Sequence, residues 1–524
     1  MSEYIWQRAL QNFQTQRFPE AIADCEYLIH GTPVWPMAFP LLSAIYLHLG
    51  QVKLATYYAV AATGQVDQLN WGGLLSVSTA LIMVGESRLA HDILLDIENR
   101  QFEPEKAYLP LGRQYSTLED IPRALASFES AFNAGDHSAM TNLMYGLNCA
   151  HVGKIEEAKN AYENAIRLAP EMAHAHWALA QLGSTENARE HVEKIQTIFS
   201  DKHLNPTDKA YVEHALYKQF ERLGELDLAW ASLIQAAHAR RSIQQYDAIK
   251  EQKLFELLAS VFDANTAQMN IAEKQTPIFI VGMPRTGTTL LERILGNHAD
   301  IIACGELNVM HQQLQWVLDR VLPVTLDELS VTDLKNCNFN ELGRRYLQKT
   351  AWLTKGKKFF TDKNPMNFMF CGSILKALPG ARIIHVQRNP VDTCLSNFKE
   401  LFSPGYYAYS YSPADCAAHY KNYLQLMKQW HALAPNRILD VRYEDLVSNP
   451  LFESKRIFDY LGLEFSSGLI EIENNKTATT TASSLQVREN IHSRNVDGWK
   501  VYETYLTELK TALREETADY VSHT

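Results

Sequence analysis

Small residues recur at almost equal intervals through the first third of this 524-residue chain. Alanines lie in similar helical surroundings at five such positions: Ala21, Ala55, Ala90, Ala124 and Ala158. Three of them are followed two helical turns later by another alanine: Ala62, Ala131 and Ala165. Small residues let two helices pack closely, and a proline such as Pro33 or Pro170 ends a helix because it lacks a backbone N–H. The pattern therefore predicts stacked pairs of helices.

This periodicity resembles the tetratricopeptide repeat, a helix pair of roughly 34 residues that stacks into an α-solenoid. Five units cover roughly residues 2–171, and Ala229 and Ala236 indicate a later unit. The intervening segment GSTENAREHVEKIQ has a helical composition without the signature, which indicates a degenerate or inserted repeat. An unrelated helical bundle is the alternative, but a bundle has no reason to keep this period over five cycles. The resemblance implies either a groove that binds a protein segment or a scaffold that stabilises or dimerises the rest of the chain.

Composition excludes several classes of protein. Hydrophobic residues at 46% and charged residues at 21% are ordinary values, and no segment approaches the roughly 18 uncharged apolar residues of a membrane span. The first residues lack the basic and apolar regions of a secretory signal, which predicts a cytoplasmic location. Seven widely spaced cysteines without a C-x-x-C pair indicate reduced thiols. A net charge of −11 disfavours nucleic-acid binding, so any anionic ligand needs a local pocket.

A strand, a glycine-containing loop and a helix follow one another at the start of the second half. Residues 277–281 (PIFIV) form a short apolar strand, GMPRTGTT follows as the loop, and LLERILGNH has helical periodicity. The N–H groups of such a loop and of the helix N-terminus favour an anion. The spacing of Gly282 and Gly287 matches a Walker A P-loop, but Thr288 replaces its lysine, which argues against ATP or GTP hydrolysis. Arg285 supplies a positive charge inside the loop instead.

Several segments resemble the sulfotransferase family, in the branch that includes the tyrosylprotein sulfotransferases and bacterial repeat-linked homologues. Residues 284–295 (PRTGTTLLERIL) resemble the family's 5′-phosphosulfate loop, and residues 381–398 (ARIIHVQRNPVDTCLSNF) resemble its 3′-phosphate segment. Four further segments occur in family order: FFTDKNPMNF, ILDVRYEDLVSNP, TASSLQVREN and RNVDGWKVY. The ordered matches span roughly residues 277–502, and together they are far more specific than any one of them.

The resemblance implies a P-loop α/β three-layer domain with a mainly parallel sheet. It also implies 3′-phosphoadenosine-5′-phosphosulfate (PAPS) as co-substrate, adenosine-3′,5′-bisphosphate as product, and no metal. Arg388 at a strand end and Ser396 on the next helix match the positions that bind the 3′-phosphate, a task that suits the two-pronged guanidinium. The implied nucleotide-binding residues are Arg285, Thr286, Gly287, Thr288, Thr289, Arg388, Ser396, Tyr443, Ser483, Arg488 and Lys500.

Glu306 is the predicted catalytic base. Its segment ACGELNVM resembles the Cys-Gly-Glu-Glu element of the tyrosylprotein branch, although Leu307 replaces the second glutamate. Lys363 and Arg285 are the predicted catalytic cations, because they would stabilise the bridging and leaving oxygens. His298 and His311 are the rival bases. Cytosolic small-molecule sulfotransferases resemble this design but have a histidine as the base instead of a carboxylate.

These predictions divide the chain into a repeat α-solenoid at residues 1–265, a linker at 266–276 and a sulfotransferase domain at 277–524. The predicted function is transfer of a sulfuryl group from PAPS to an acceptor hydroxyl. The branch suggests protein tyrosine as that acceptor, and a lipid, a sugar or a small hydroxyl metabolite stays open. The repeats would recruit the acceptor protein, peptide or small molecule, or a separate protein partner. Two alternatives stay open: a P-loop nucleotide kinase, and a non-catalytic repeat scaffold with a decayed sulfotransferase domain.

Overall fold

The structure is a computed structural model that describes residues 1–100, 106–183, 187–262, 275–324, 326–403, 405–475 and 489–522. The chain forms two compact units. The first unit comprises Met1–His137, Asn308–Pro323 and Asn336–Trp352; the second comprises Ser138–Leu307, Val324–Lys335 and Leu353–Thr524. Most of the predicted linker 266–276 lies outside the described residues, so the domain boundaries stay a prediction.

Helix pairs make up the N-terminal half. In the first unit these are α1 (Ser2–Gln14), α2 (Phe18–Ile29), α3 (Ala38–His48), α4 (Val52–Ala62), α5 (Trp71–Met83), α6 (Ser87–Asn99), α7 (Tyr108–Thr117) and α8 (Ile121–Asn133). The second unit begins with α9 (Ala139–Val152), α10 (Ile155–Leu168), α11 (Ala173–Gln181), α12 (Ala188–Phe199), α13 (Pro206–Arg222), α14 (Leu226–Arg241) and α15 (Ala248–Val261). Consecutive helices pack against each other as pairs, for example α1 with α2, α9 with α10 and α13 with α14. The predicted tetratricopeptide-like repeats are therefore confirmed.

The alanines of the repeat pattern lie on the second helix of each pair. All five have no exposed surface, as close helix packing requires: Ala21, Ala55, Ala90, Ala124 and Ala158. Glycines on two of the first helices allow equally close contact. A Cβ on Gly112 of α7 would lie 2.6 Å from Cε1 of Phe128, and a Cβ on Gly146 of α9 would lie 2.6 Å from Cε1 of Tyr162. Both partners are aromatic residues of the second helix in the same pair.

From Ala188 onward, the segment without the repeat signature forms a helix, α12. Val192 stands one repeat length after Ala158 and is only 2% exposed, so a larger apolar residue occupies the buried position. This helix packs against α13. Helices α11 and α12 both pack mainly against α13, so this region departs from the regular helix pairs, in agreement with a degenerate or inserted repeat.

The C-terminal half alternates strands and helices. Its elements are β1 (Thr276–Gly282), α16 (Thr288–Gly296), β2 (Ile301–Ile302), α17 (Val309–Leu318), α18 (Glu328–Asp333), α19 (Phe339–Thr350), β3 (Phe359–Asp362), α20 (Cys371–Ala377), β4 (Arg382–Gln387), α21 (Pro390–Phe398), α22 (Pro413–Leu433), β5 (Ile438–Arg442), α23 (Tyr443–Ser448), α24 (Pro450–Leu461), α25 (Thr507–Ala512) and α26 (Arg514–Ser522). A 3₁₀ helix covers Gly498–Tyr505. Helices α17 and α19 belong to the first unit. Within the described ranges, no helix is long and apolar enough to cross a membrane.

The five strands form one parallel sheet in the order β2-β3-β1-β4-β5, which confirms the predicted α/β fold. Its central strand β1 is a run of apolar residues because it is covered on both faces. Parallel strands end at the same edge of a sheet, where α/β proteins bind ligands. Directly after β1, β3, β4 and β5 come the glycine loop, Lys363, Arg388 and Tyr443. The fold thus collects these predicted site residues along one edge.

Candidate functional site

The loop after β1 turns sharply into α16. Gly287 caps the helix with a φ of +100°, a conformation that residues with a side chain rarely adopt. A Cβ there would lie 2.6 Å from Cδ2 of Tyr443, so the position also lacks space for any larger residue. The hydroxyl of Thr286 donates to the carbonyl of Met283 at 2.8 Å and closes the turn. The loop is thereby fixed with the N-terminus of α16, where unpaired N–H groups favour an anion.

Arg388 directly follows β4 and lies against this loop. Its Nη1 donates to the carbonyl of Arg285 at 3.1 Å, and its Nη2 donates to the carbonyl of Asn495. The guanidinium carbon lies 4.9 Å from the ring centre of Tyr443. The residue is only 8% exposed, and its Nε has no hydrogen-bond partner among the described residues. A buried charged donor without a partner is suited to an anionic ligand.

A pocket of about 250 Å³ opens between these elements within the second unit. Six predicted nucleotide-binding residues line it: Arg285, Gly287, Thr289, Arg388, Ser396 and Tyr443. Nε of Arg285 donates to the hydroxyl of Ser396 at 3.4 Å, which joins the glycine loop to α21. The structure thus brings residues from three separate predicted segments into one cavity.

Three other predicted nucleotide-binding residues, Thr286, Thr288 and Lys500, do not line this pocket. Thr286 and Thr288 are buried in the loop and in the first turn of α16. Lys500 is exposed, and its Nζ donates to Oδ2 of Asp497 at 2.6 Å. Ser483 and Arg488 lie outside the described residues. The roles of all these positions therefore stay predictions from the sequence alone.

Asp392 of α21 fixes the C-terminal wall of the pocket. Its carboxylate accepts hydrogen bonds from the backbone N–H groups of Asp497 and Trp499, each at 2.9 Å. Burial raises the pKa of Asp392, while Arg388 and the two amides oppose that rise. The segment around the start of the 3₁₀ helix is thus bound to the same helix that carries Ser396.

Glu306 and Lys363 form a second cluster. Nζ of Lys363 donates to Oε1 of Glu306 at 2.6 Å. The lysine side chain is fully buried, whereas that of Glu306 is 36% exposed. Glu306 does not line the pocket described above. The pair therefore combines a fixed cation with a carboxylate that solvent or a substrate can reach.

Buried polar contacts hold the loop that carries Glu306. Oε1 of Glu292, on α16, accepts hydrogen bonds from Gly305 N at 3.0 Å and from the hydroxyl of Thr361 at 2.7 Å. Cys304 N donates to the same hydroxyl at 3.1 Å, and the backbone N of Lys363 donates to the carbonyl of Gly305 at 2.9 Å. Glu292 thus links the helix of the glycine loop to the Glu306 loop. Sequence reasoning missed it because a single glutamate in LLERIL is typical of any helix surface.

The two rival bases have structural partners. Nδ1 of His298 accepts from the backbone N of Asp300 at 3.1 Å, and its ring lies 5.4 Å from that of Phe458. Nε2 of His311 lies 2.9 Å from the carbonyl of Pro323. Burial lowers the pKa of His311, and that hydrogen bond only partly opposes the effect. Neither histidine lines the pocket.

A group of metal-ligand type lies elsewhere in the second unit. In the part of the chain that the structure describes, ligand atoms of His385, His431 and Asp440 lie within 4.8 Å of one another. Oδ1 of Asp440 is 2.7 Å from Nδ1 of His385 and 3.1 Å from Nε2 of His431. The aspartate thus contacts both histidines directly, and none of the three lines the pocket.

Sequence reasoning also missed pocket residues from the helical half. Lys218 and Glu221 of α13 line the cavity, together with Lys399 and Glu400 just after α21. In the sequence, Lys218 and Glu221 resemble the charged residues of any exposed helix face. Their position depends on the packing of α13, which local sequence patterns do not specify.

Residues 277–467 match the model of the sulfotransferase family. An uncharacterized protein of Aquifex aeolicus (strain VF5) is 26% identical over 70% of this chain and 49% of its own length. Protein-tyrosine sulfotransferase 2 of Gallus gallus is 23% identical over 40% of this chain and 57% of its own length. The chain spans about half the length of these curated relatives. Among solved structures, the sulfotransferase domain from the curacin biosynthetic pathway is 17% identical, with a TM-score of 0.33, over 45% of this chain and 92% of its own.

Proposed function

We propose that this chain, which carries a sulfotransferase-family domain beside tetratricopeptide-like repeats, transfers a sulfuryl group from PAPS to an acceptor hydroxyl. The observation that carries the proposal is the arrangement at the ends of β1, β3 and β4. A glycine loop, the Lys363–Glu306 pair and the buried Arg388 stand there along one edge of the parallel sheet. Such an edge is where an α/β domain binds a nucleotide and a second substrate.

The residues of the pocket fit an adenosine nucleotide with two phosphate groups. The glycine at position 287 lets the backbone approach a phosphate closely, and Thr289 adds a hydroxyl donor. Arg388 offers a buried donor that has no partner among the described residues. In this proposal Arg285, Thr288 and Thr289 bind the 5′-phosphate, whereas Arg388 and Ser396 bind the 3′-phosphate. Both assignments rest on the resemblance of these segments to the family's phosphate-binding segments.

The proposed chemistry exchanges one S–O bond for another. PAPS supplies a sulfuryl group whose leaving group is the 5′-phosphate of adenosine-3′,5′-bisphosphate. Glu306 takes the proton of the acceptor hydroxyl as the acceptor oxygen bonds to sulfur. Lys363 and Arg285 stabilise the negative charge that grows on the departing phosphate oxygen as its bond to sulfur breaks. Glu292 keeps the Glu306 loop in position for this step through its contact with Gly305.

The acceptor class is proposed from resemblance. Protein tyrosine is favoured because the chain is similar to protein-tyrosine sulfotransferases, and the repeats would then recruit the acceptor segment or a partner. Two alternatives are less well supported. A P-loop kinase would need the lysine that Thr288 replaces, and it would not need Arg388 and Ser396 in the same cavity. A decayed scaffold would have no reason to keep a buried lysine paired with Glu306.

The proposal is tested by sulfuryl transfer with wild-type protein and Glu306→Gln. We expect label from ³⁵S-PAPS to enter tyrosine-containing peptides, and the variant to lower turnover roughly 10²–10⁴-fold, because glutamine keeps the shape but accepts no proton. Affinity for adenosine-3′,5′-bisphosphate should stay nearly unchanged. Calorimetry and turnover are measured on the same preparation.

Glu464→Gln is the matched control, since Glu464 is exposed, follows α24 and does not line the pocket. Its turnover should equal that of the wild type. Near-normal turnover of Glu306→Gln would transfer the role of base to another group such as His298. A rise in the protein's unfolding temperature with ATP, but not with adenosine-3′,5′-bisphosphate, would contradict the sulfotransferase proposal and favour a kinase.

A further inference from the structure

Helix α13 of the helical half reaches the pocket. Lys218 and Glu221 lie on its last turns and line the cavity together with Arg285 and Ser396. A contact one turn earlier also anchors the helix there. Nε2 of His214 lies 3.1 Å from the carbonyl oxygen of Lys399. All of these residues belong to the second unit.

Glu221 has its own set of partners. Its Oε1 accepts from Nζ of Lys399 at 2.6 Å, from the hydroxyl of Tyr502 at 2.9 Å and from the hydroxyl of Tyr217 at 3.1 Å. Burial alone would raise the pKa of Glu221, but the charges of Lys399 and Lys218 outweigh it and hold the pKa at about 2. The carboxylate is therefore ionised at neutral pH and is satisfied mainly by Lys399.

Lys218 has no comparable partner. Its Nζ lies 5.1 Å from the ring centre of Tyr217, and the described residues provide it with no ion pair and no hydrogen bond. Burial lowers the pKa of Lys218; Glu221 and Glu400 raise it, and Lys399 and Arg285 lower it again. A lysine close to other cations, in a confined pocket, without a hydrogen-bonded counter-ion, is suited to an anionic group of a ligand.

The charges around the pocket leave the ammonium group of Lys218 available to a ligand. Three of the four lining carboxylates have partners: Glu221 pairs with Lys399, Asp392 with two backbone amides, and Glu489 with Arg494. Glu400 is the remaining carboxylate near Lys218 and Arg285. Lys218 and the neighbouring Arg285 therefore leave a surplus of positive charge over Glu400 for the phosphate groups of a nucleotide.

We infer that Lys218 binds the 3′-phosphate of the nucleotide, so that a helix of the repeat half forms part of the donor site. The inference rests on the proposed function and adds a binding residue that the sulfotransferase segments do not contain. The 3′-phosphate is favoured over the 5′-phosphate because Glu221, about one turn after Lys218 on α13, pairs with Lys399, which directly follows the helix that carries Ser396.

The test compares two nucleotides on the full-length chain. Calorimetry measures the affinity of wild type and Lys218→Met for adenosine-3′,5′-bisphosphate and for adenosine 5′-monophosphate, which lacks the 3′-phosphate. We expect the variant to lose roughly 10- to 100-fold in affinity for the bisphosphate, the scale of one charged hydrogen bond, and to keep its affinity for the monophosphate. Lys218→Arg should retain most of the bisphosphate affinity.

Lys209→Met is the matched control, because Lys209 lies on the same helix with an exposed side chain. It should change neither affinity. An equal loss for both nucleotides in Lys218→Met, or no loss, would overturn the role at the 3′-phosphate. Wild-type protein that binds neither nucleotide would overturn the proposed function itself, which separates the two failures. A thermal midpoint equal to that of the wild type excludes a folding defect in the variant.

Discussion

Arg388 keeps its position through contacts that do not depend on a ligand. The carbonyl of Arg285 accepts a hydrogen bond from Nη1 of Arg388, and the ring of Tyr443 lies beside the guanidinium. Oδ1 of Asp392 lies 3.7 Å from Nη2 of Arg388. Because these neighbours hold the side chain, little conformational entropy remains to be lost when an anion binds. Arg388 should therefore contribute more to affinity than an exposed arginine would.

We expect Arg388→Ala to weaken binding of adenosine-3′,5′-bisphosphate by about 1.5–3 kcal/mol, the value of a charge-assisted hydrogen bond. Calorimetry measures the dissociation constant directly. Arg382→Ala is the control on the opposite end of β4, where the guanidinium lies near the ring of Tyr460. Equal affinities for wild type and Arg388→Ala would remove Arg388 from the nucleotide site.

Single residues of the site were predictable where they follow a strand. Arg388 and Tyr443 stand directly after strands, and the ends of parallel strands are where ligand-binding residues concentrate. Lys218 was not predictable, because it lies far from Arg285 in the sequence and its neighbours YKQFE are those of an ordinary helix. Such a residue reaches a site only through the packing of its helix, which depends on the whole fold.

At the scale of elements, spacing predicted the helix pairs well because packing distance limits residue size at each contact. The evenly spaced buried alanines express that limit directly. The same rule explains where the prediction was incomplete. Helices α11 and α12 both pack mainly against α13, and a buried position of α12 holds Val192, so the helices remain although the signature is absent.

The turn into α16 gives a prediction at this scale. We expect Gly287→Ala to destabilise the chain by about 1–3 kcal/mol through its clash with Tyr443, beyond the strain of a positive φ, and to weaken nucleotide binding. Urea denaturation measures the free energy of unfolding. Gly462→Ala isolates the strain, because Gly462 in the same unit also has a positive φ, +69°, but nothing lies within 4 Å of its added Cβ. Equal losses in the two variants would mean that the contact with Tyr443 is not limiting.

At the scale of the whole chain, the sequence predicts a sulfotransferase half that can stand alone. Several contacts in the second unit argue for the opposite outcome. Trp230 of α14 stacks on Tyr505 at 5.0 Å, Phe255 of α15 packs edge-on against Phe368, and His419 lies 2.8 Å from Glu251. Removal of residues 1–265 would expose these apolar surfaces and take Lys218 out of the pocket.

We therefore expect a chain that begins at residue 266 to lose measurable affinity for adenosine-3′,5′-bisphosphate and to unfold at a lower temperature than the full chain. Calorimetry and circular dichroism on the same sample separate lost binding from lost folding. Wild-type affinity in the shortened chain would instead support independent halves, as the sequence segments alone suggest.

The carboxylate of Glu221 accepts from Lys399 and Tyr502, so it connects a helix of the repeat half with two segments of the other half. This has a consequence for how such proteins can evolve. Replacement of the repeats by those of another protein would remove a group that Lys399 and Tyr502 both need. The halves should therefore be inherited as one piece, with substitutions at the three positions occurring together in descendants, whereas repeats without such a contact remain free to diverge.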